Sequence, residues 1–250
     1  MKHYKIRLLL TVALIASFSV NAQQKTPKFF AEVAAGPSFP IGQFGEKEYP
    51  GIDAKDQPGM AKTGMAANIT LGYYIKENVG LLLTGGYAAY KQIPEGLEEY
   101  IKRNFYVSAT DVDVNADDWK LLKVMVGGFY ITPLTENKLN LVTKISAGIL
   151  KTAVPAFSWR AYNATGPAFA GGENEEEKLP TSFCYQISLG LQYKLNERFH
   201  LLFDLNSFNA TATDKAPPQP IGNPPGVPAE PDKKYRFGSV NALIGVGVSF

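Results

Sequence analysis

Residues 235–250 decide the fold, and they read Tyr-Arg-Phe-Gly-Ser-Val-Asn-Ala-Leu-Ile-Gly-Val-Gly-Val-Ser-Phe. The even positions from Val240 to Phe250 are apolar, the odd positions are mostly Ser, Asn and Gly, and no charge follows Arg236. Side chains of a β-strand alternate between two faces, so a period of two predicts a strand with one apolar face. A helix would spread the same apolar residues around its axis.

The same alternation recurs along the chain and predicts eight strands. In 181–195, for example, Phe183, Tyr185 and Ile187 alternate with Cys184 and Gln186. The predicted strands are 29–39, 63–76, 79–91, 119–132, 139–152, 181–195, 199–212 and 235–250.

The connections between these strands alternate between long and short. Glu77-Asn78 and 196–198 are tight turns, whereas four long segments lie at the opposite ends of the strands. The long segments are 40–62, 92–118, 153–180 and the proline-rich 213–234; within the second, the spacing of Leu97, Tyr100, Ile101 and Phe105 predicts a short surface helix. An up-and-down membrane barrel places its long connections at one end, whereas a soluble sandwich has no reason to do so.

Alternation alone does not tell which face of the barrel is outside, because a soluble lipocalin-like barrel is apolar inside and a membrane barrel is apolar outside. The polar faces carry few charges, which is unusual for a surface in water. The apolar faces also carry aromatic residues near both strand ends, which indicates two interfacial girdles. These aromatics are Tyr73, Tyr193, Phe199 and Phe250 near the short turns, and Tyr87, Phe183 and Tyr185 near the long segments.

Residues 1–22 have the features of a secretory signal peptide. A basic start with Lys2, Lys5 and Arg7 precedes an apolar segment and a small-residue cleavage site ending at Ala22. The apolar segment is shorter than the ~20 residues of a membrane-spanning helix. We therefore expect an exported mature domain of residues 23–250, with an uncleaved anchor as the alternative.

The composition of the mature chain gives no support to one class of protein and excludes another. Without Lys2, Lys5 and Arg7 it has 22 Lys and Arg against 23 Asp and Glu, so nothing favours nucleic-acid binding. A single cysteine, Cys184, excludes a small domain held together by internal disulfides.

From residue 23 to 250 the chain resembles the small bacterial outer-membrane β-barrel family, the eight-stranded proteins similar to the membrane domain of OmpA. The resemblance rests on the signal peptide, the alternating connections, the strand alternation and the final Phe250. It implies an all-β, eight-stranded antiparallel up-and-down transmembrane barrel with short periplasmic turns and long extracellular loops. It also implies a location in the outer membrane of a Gram-negative-type bacterium, contact with its lipid, and recognition of Phe250 by the barrel-insertion machinery.

Four charged strand residues belong to the polar faces and therefore to the predicted barrel lumen: Glu32, Lys123, Lys144 and Asp204. A lysine facing lipid at mid-bilayer would cost ~2–4 kcal/mol, and an eight-stranded barrel is only wide enough for its own side chains. Buried charges then have to pair. We expect a closed polar core, with an ion path as the alternative.

Few residues suit catalysis or metal binding. His200, the only histidine after cleavage, follows a short turn and is expected to be a solvated residue at the barrel rim. Cys184 is expected to be an inert thiol facing the lumen. The segment 111–117 begins like a calcium loop but lacks the required glycine and final acid, and its alternation equally suits a strand. We expect no enzyme, cofactor or metal.

Function is therefore expected in the long loops. The leading hypothesis is a non-enzymatic structural outer-membrane protein with loop-mediated surface contacts, centred on Trp159 and Tyr162, to a ligand that the sequence does not name. Packing of the loop aromatics on one another is the simpler interpretation. Alternatives are an adhesin, a barrel that binds or transports a small hydrophobic ligand, a component of an assembly machine, or a soluble secreted lipocalin-like barrel.

Overall fold

The computed structural model describes residues 27–250 except 51–53, 105, 107–108, 136–137, 165, 167 and 216–230. The predicted signal peptide of residues 1–22, Phe105 and most of the proline-rich segment lie outside the described residues. In the part that is described, no helix is both long and apolar enough to cross a membrane.

Eight strands form a closed antiparallel barrel. Each strand pairs with the next along the chain, and the first pairs with the last, with Phe30 opposite Ser249. The strands are β1 (Phe29–Pro40), β2 (Gly64–Lys76), β3 (Val79–Tyr90), β4 (Trp119–Pro133), β5 (Leu139–Lys151), β6 (Ser182–Lys194), β7 (Phe199–Asp214) and β8 (Lys233–Ser249). The predicted all-β, eight-stranded up-and-down barrel is confirmed.

The outer surface of the barrel is apolar, and its interior holds the polar strand residues together with a set of buried apolar ones. On β8, Ile244 and Val246 are 70% and 59% exposed, while Ser239 and Asn241 are fully buried. On β1, Val33 is exposed and its neighbour Glu32 is buried, as the alternation predicts. This arrangement is the reverse of a soluble lipocalin-like barrel.

The two ends of the barrel differ in their connections. The pairs β2–β3, β4–β5 and β6–β7 are joined across residues 77–78, 134–138 and 195–198 at what we call the turn end. The connections β1–β2, β3–β4 and β5–β6 lie at the opposite end, which we call the loop end, and they contain further secondary structure.

A small folded unit, here called the cap, forms from two of the long connections. It consists of helix α1 (Glu95–Asn104) and a three-stranded sheet with the middle strand Phe157–Tyr162 between Asp111–Ala116 and Ala168–Asn174. The predicted helix is confirmed, and 111–116 takes the strand alternative. The interpretation of 153–180 as a plain loop is wrong, because Phe157, Trp159 and Ala161 alternate with polar residues and build a strand.

Apolar packing holds the cap together. Leu97 and Ile101 of α1 are buried against Val112, Val114 and Ala161 of the sheet. Helix and sheet thus share one core, as a small α+β unit requires. The outer face of the sheet is left exposed.

Candidate functional site

An aromatic group closes the lumen at the loop end. The 3₁₀ turn Gly42–Gly45 places Phe44, 1% exposed, in the barrel mouth. Its ring centroid lies 4.9 Å from that of Tyr90, 5.8 Å from Trp119 and 5.2 Å from Phe237. We call these four residues the loop-end plug.

Backbone hydrogen bonds fix the plug to the segment 59–61. The Ala61 amide donates to the Phe44 carbonyl and the Gly59 amide to the Gln43 carbonyl, both at 2.9 Å. The Trp119 indole N–H donates to the Gly59 carbonyl at 2.6 Å. A side chain at Gly59 would collide with the Phe44 ring, so glycine is needed at this close approach.

A second aromatic group closes the turn end. The rings of Phe30, Tyr74 and Phe129 pack edge to face or tilted, with centroids 5.2–5.4 Å apart. We call this group the turn-end plug. A side chain at Gly72 would overlap the Phe30 ring, so the glycine on β2 makes space for it.

Charged residues occupy the lumen between the plugs. Lys144 Nζ on β5 lies 2.7 Å from Glu32 Oε2 on β1 and 3.4 Å from Asp204 Oδ2 on β7. His200 Nε2 lies 3.2 Å from the other oxygen of Glu32, Oε1. The structure thus brings three of the four predicted lumen charges together and adds a histidine.

The placement of His200 corrects the prediction of a solvated rim residue. Its side chain is buried, because the alternation of β7 turns it inward and the neighbouring strand carries Gly247. A side chain at Gly247 would occupy the space of the imidazole ring. His200 is therefore close to the turn 195–198 in sequence, but its imidazole ring lies inside the barrel and not in solvent.

Neutral side chains extend the network towards the loop end. Asn206 Nδ2 donates to Asp204 Oδ1 at 3.0 Å, and Asn241 Nδ2 donates to Asn206 Oδ1 at 2.6 Å. Ser38 Oγ donates to Asn241 Oδ1 and lies 2.5 Å from the Tyr90 hydroxyl. An unbroken series of hydrogen bonds therefore links the charged group to the loop-end plug. Satisfied buried polar networks of this kind favour one rigid arrangement.

Lys123 lies apart from the other charges. Its Nζ donates to Gln186 Oε1 at 2.7 Å and lies 4.5 Å from the centroid of the Phe208 ring. It makes no ion pair with any carboxylate in the described ranges, so the expectation that all four lumen charges pair fails at Lys123. An amide oxygen and an aromatic face stabilise this buried ammonium instead.

The lumen contains a cavity of about 20 Å³. It is lined by the charged residues Glu32, Lys144 and Asp204 and by the hydroxyl residues Thr70 and Thr84. Such a volume holds about one water molecule. This cavity is too small to hold a substrate.

Trp159 and Tyr162 do not share a surface. They are three positions apart on one strand, so their side chains point to opposite faces. Trp159 faces α1, with its ring centroid 5.2 Å from that of Tyr106, whereas Tyr162 lies on the outer face with Arg160. The predicted recognition surface around both residues is therefore wrong, and the packing interpretation holds for Trp159.

A larger cavity, of about 480 Å³, lies between the segment 43–50 and α1. Its walls include the ring pair Tyr49 and Tyr100, whose centroids are 5.0 Å apart, and the carboxylates of Glu46 and Glu99. This volume is in the range of small-molecule sites. Sequence reasoning missed it because it forms between two segments that are far apart in the chain.

Two substitutions in the cap separate packing from surface roles. Trp159→Ala should destabilise the cap by about 1–3 kcal/mol through lost packing, whereas Tyr162→Ala should change its stability by less than about 0.5 kcal/mol. Limited trypsin digestion of folded protein should cut the Trp159→Ala variant much faster at Lys102 and Arg103 of α1. Equal digestion of both variants would contradict this placement of Trp159.

Metal binding has no support among the described residues. Within them, no cluster of three or more His, Cys, Asp or Glu side chains is arranged to hold a metal ion. Cys184 is a buried free thiol of β6. Burial raises the pKa of Glu98 in the cap, with nearby Glu95 adding to the shift.

Comparison with known proteins identifies similar shapes only. No family model matches the sequence, and no curated protein is found to be similar. The Neisserial surface protein A (NspA) structure is 14% identical, covering 89% of this chain and 97% of that chain, with a TM-score of 0.45. OprG from Pseudomonas aeruginosa is 14% identical, covering 92% and 99%, with a TM-score of 0.41. Ail from Yersinia pestis, crystallised with a heparin analogue, is 12% identical, covering 89% and 99%, with a TM-score of 0.38.

By its own strand pairing, the chain is a closed eight-stranded antiparallel β-barrel with a folded cap. The similarity to these solved structures, of which OprG is an outer membrane protein, is one of shape alone.

Proposed function

We propose that this chain is a non-enzymatic outer-membrane protein, in which the barrel is a closed scaffold and the cap makes contacts at the cell surface. The observation that carries the proposal is the apolar outer surface of the barrel. Every strand contributes an exposed large apolar residue: Val33, Ile69, Leu81, Val126, Ile145, Leu189, Phe203 and Ile244. Soluble monomers rarely expose a continuous apolar surface of this kind, whereas lipid tails solvate it.

Exposed aromatic residues support the same location. Tyr73, Tyr193 and Phe199 lie near the turn end of the outer surface. Tyr87 and Phe183 lie near the loop end. Rings at both limits of an apolar band suit the two interfaces of a bilayer.

The closed lumen favours surface contact over transport. Both plugs are made of packed aromatic rings, and the charged network lies between them. The cap, by contrast, has an exposed sheet face, and a cavity of about 480 Å³ lies between its helix and the segment 43–50. An adhesin-like role of the cap therefore has more structural support than passage of a ligand through the barrel.

Insertion is proposed to use the last residue. Phe250 exchanges backbone hydrogen bonds of 2.8 and 2.9 Å with Phe29, and their rings stack with centroids 6.2 Å apart. The residue lies at the seam where the barrel closes. It is therefore well placed to be read by an insertion machinery before β1 pairs with β8.

Folding the purified mature chain into phosphatidylcholine vesicles tests the proposal. We expect insertion, gel migration that changes on heating, and no large stable conductance in planar bilayers because both plugs close the lumen. A monomer that stays soluble without detergent would refute the membrane location. Reproducible porin-sized conductance would refute the closed scaffold and favour transport.

A further inference from the structure

We propose that the outer surface of the barrel carries a binding site for the phosphate groups of membrane lipids, formed at the loop end by Lys91, Lys120, Lys151 and Lys178. This inference rests on the proposed membrane location and specifies one of its lipid contacts. We call these four residues the lysine cluster.

Strand register brings the cluster together. Lys120 on β4 is opposite Ala89 on β3, so Lys91 is two residues further along on the same face. Lys151 on β5 is opposite Leu122, two residues from Lys120. Such diagonal neighbours on one face of a sheet are about 7–8 Å apart, within reach of one another's long side chains.

The fourth lysine extends the cluster by one strand. Lys178 pairs with Ala153, which lies two residues beyond Lys151 on the same face. The short pairing of Glu177–Lys178 with Ala153–Val154 thus continues the surface of β5. Adjacent strand residues point to opposite faces, so Glu177 faces away from the cluster.

The four ammonium groups are available to a ligand. All four lysines are exposed, and none makes an ion pair with a carboxylate among the described residues. One acidic residue, Asp118, lies two positions before Lys120. At this spacing its side chain points to the same face as that of Lys120. The cluster therefore keeps an excess of positive charge.

Apolar side chains border the cluster on the barrel side. Tyr87 is opposite Leu122, and Ile149 is opposite both Val124 and Phe183. All of them are exposed on the outer surface. The site therefore combines a surface for acyl chains with cations directly at its edge.

A lipid that carries phosphate matches both parts of this surface. Its acyl chains can cover the apolar residues while its phosphates lie at the level of the lysines, whose stems can extend to the interface. Free phosphate would use only the cations, and an acidic protein would leave the apolar border unmatched. The structure thus favours a phosphorylated lipid of the leaflet that surrounds the loop end.

Binding of bis-phosphorylated lipid A by the mature protein in neutral detergent micelles tests the site. Each Lys→Gln substitution in the cluster should weaken binding by about five-fold, and Asp118→Asn should strengthen it. Without its phosphates, lipid A should no longer depend on the lysines. Dephosphorylated lipid A should therefore bind the wild-type protein and the quadruple variant with the same low affinity. Inorganic phosphate at the same phosphate concentration should not compete.

The matched control removes lysines from the turn end with Lys76→Gln, Lys138→Gln and Lys194→Gln. We expect this variant to bind lipid A like the wild type. Equal loss in the control and cluster variants, unchanged binding by the quadruple variant, or effective competition by inorganic phosphate would overturn the inference.

A second measurement separates the proposed membrane location from the proposed lysine site. Each preparation is inserted into phosphatidylcholine vesicles, and insertion is followed by heat-dependent gel migration. A wild-type protein that does not insert refutes the proposed membrane location. A protein that inserts normally but binds lipid A independently of the cluster refutes only the lysine site.

Discussion

Replacing Lys144 with Met should lower the free energy of unfolding by about 3–5 kcal/mol, because removing one member of a buried ion pair leaves the others uncompensated. Lys144 Nζ contacts the carboxylates of Glu32 and Asp204 at 2.7 and 3.4 Å. No other cation contacts Asp204 in the described ranges, and Glu32 would keep only His200. Urea unfolding of the protein in phosphatidylcholine vesicles, followed by tryptophan fluorescence, measures the loss.

Lys123→Met is the matched control. Lys123 is more deeply buried than Lys144 and contacts Gln186 and the Phe208 ring instead of a carboxylate. Its replacement removes one charge-assisted hydrogen bond and leaves no unpaired charge, so we expect a loss of about 1–2 kcal/mol. Equal losses at the two positions would show that lysine packing, rather than charge pairing, determines the stability.

A double substitution tests the coupling directly. Glu32→Gln combined with Lys144→Met removes both charges of the closest pair and leaves His200 beside a neutral amide. The double variant should be more stable than the sum of the two single losses predicts, by about 1–3 kcal/mol. Additive losses would contradict the pairing of Glu32 with Lys144.

The barrel was predictable because alternation is imposed by two different environments. The predicted strand 119–132 is observed as β4, Trp119–Pro133, and the predicted strand 181–195 is observed as β6, Ser182–Lys194. The ends therefore differ by one residue at most. A one-residue slip would exchange the two faces of a strand, so the sequence has to encode the register strongly. The inward placement of Glu32, Lys123, Lys144 and Asp204 follows from the same pattern.

The partners inside the lumen were not predictable. Glu32 and His200 are 168 residues apart in the chain and meet only because β1 and β7 both flank β8 in the closed barrel. Alternation gives the face of a residue but not its height relative to strands across the lumen. Lys123 therefore has the predicted face and a different kind of partner.

The loop end shows two different limits of the sequence. Phe44 lies in a segment rich in Gly and Pro, where no periodicity indicates that it enters the barrel mouth. By contrast, the sequence was sufficient to predict that Trp159 and Tyr162 lie on opposite faces of a strand. Phe157, Trp159 and Ala161 alternate with Ser158, Arg160 and Tyr162, and residues three apart on a strand cannot share a face.

Ile145→Lys should lower the free energy of unfolding in lipid vesicles by about 2–4 kcal/mol, the cost of a lysine on the lipid face at mid-bilayer. Ile145 is 62% exposed and lies near the middle of β5, with further outward apolar residues on both sides. A soluble barrel would present the same position to water, where a lysine is harmless. The substitution therefore distinguishes the two environments without changing the lumen.

Thr132→Lys supplies the depth control. Thr132 faces outward near the turn end of β4, where a lysine side chain reaches the interface, so we expect a loss of only about 0–1 kcal/mol. Folding into phosphatidylcholine vesicles, with unfolding in urea, gives both values under one condition. If Ile145→Lys costs no more than Thr132→Lys, the apolar band is not in contact with lipid tails, and another partner has to cover it. A large difference places the middle of β5 in the hydrocarbon core, because only there does the penalty depend on depth.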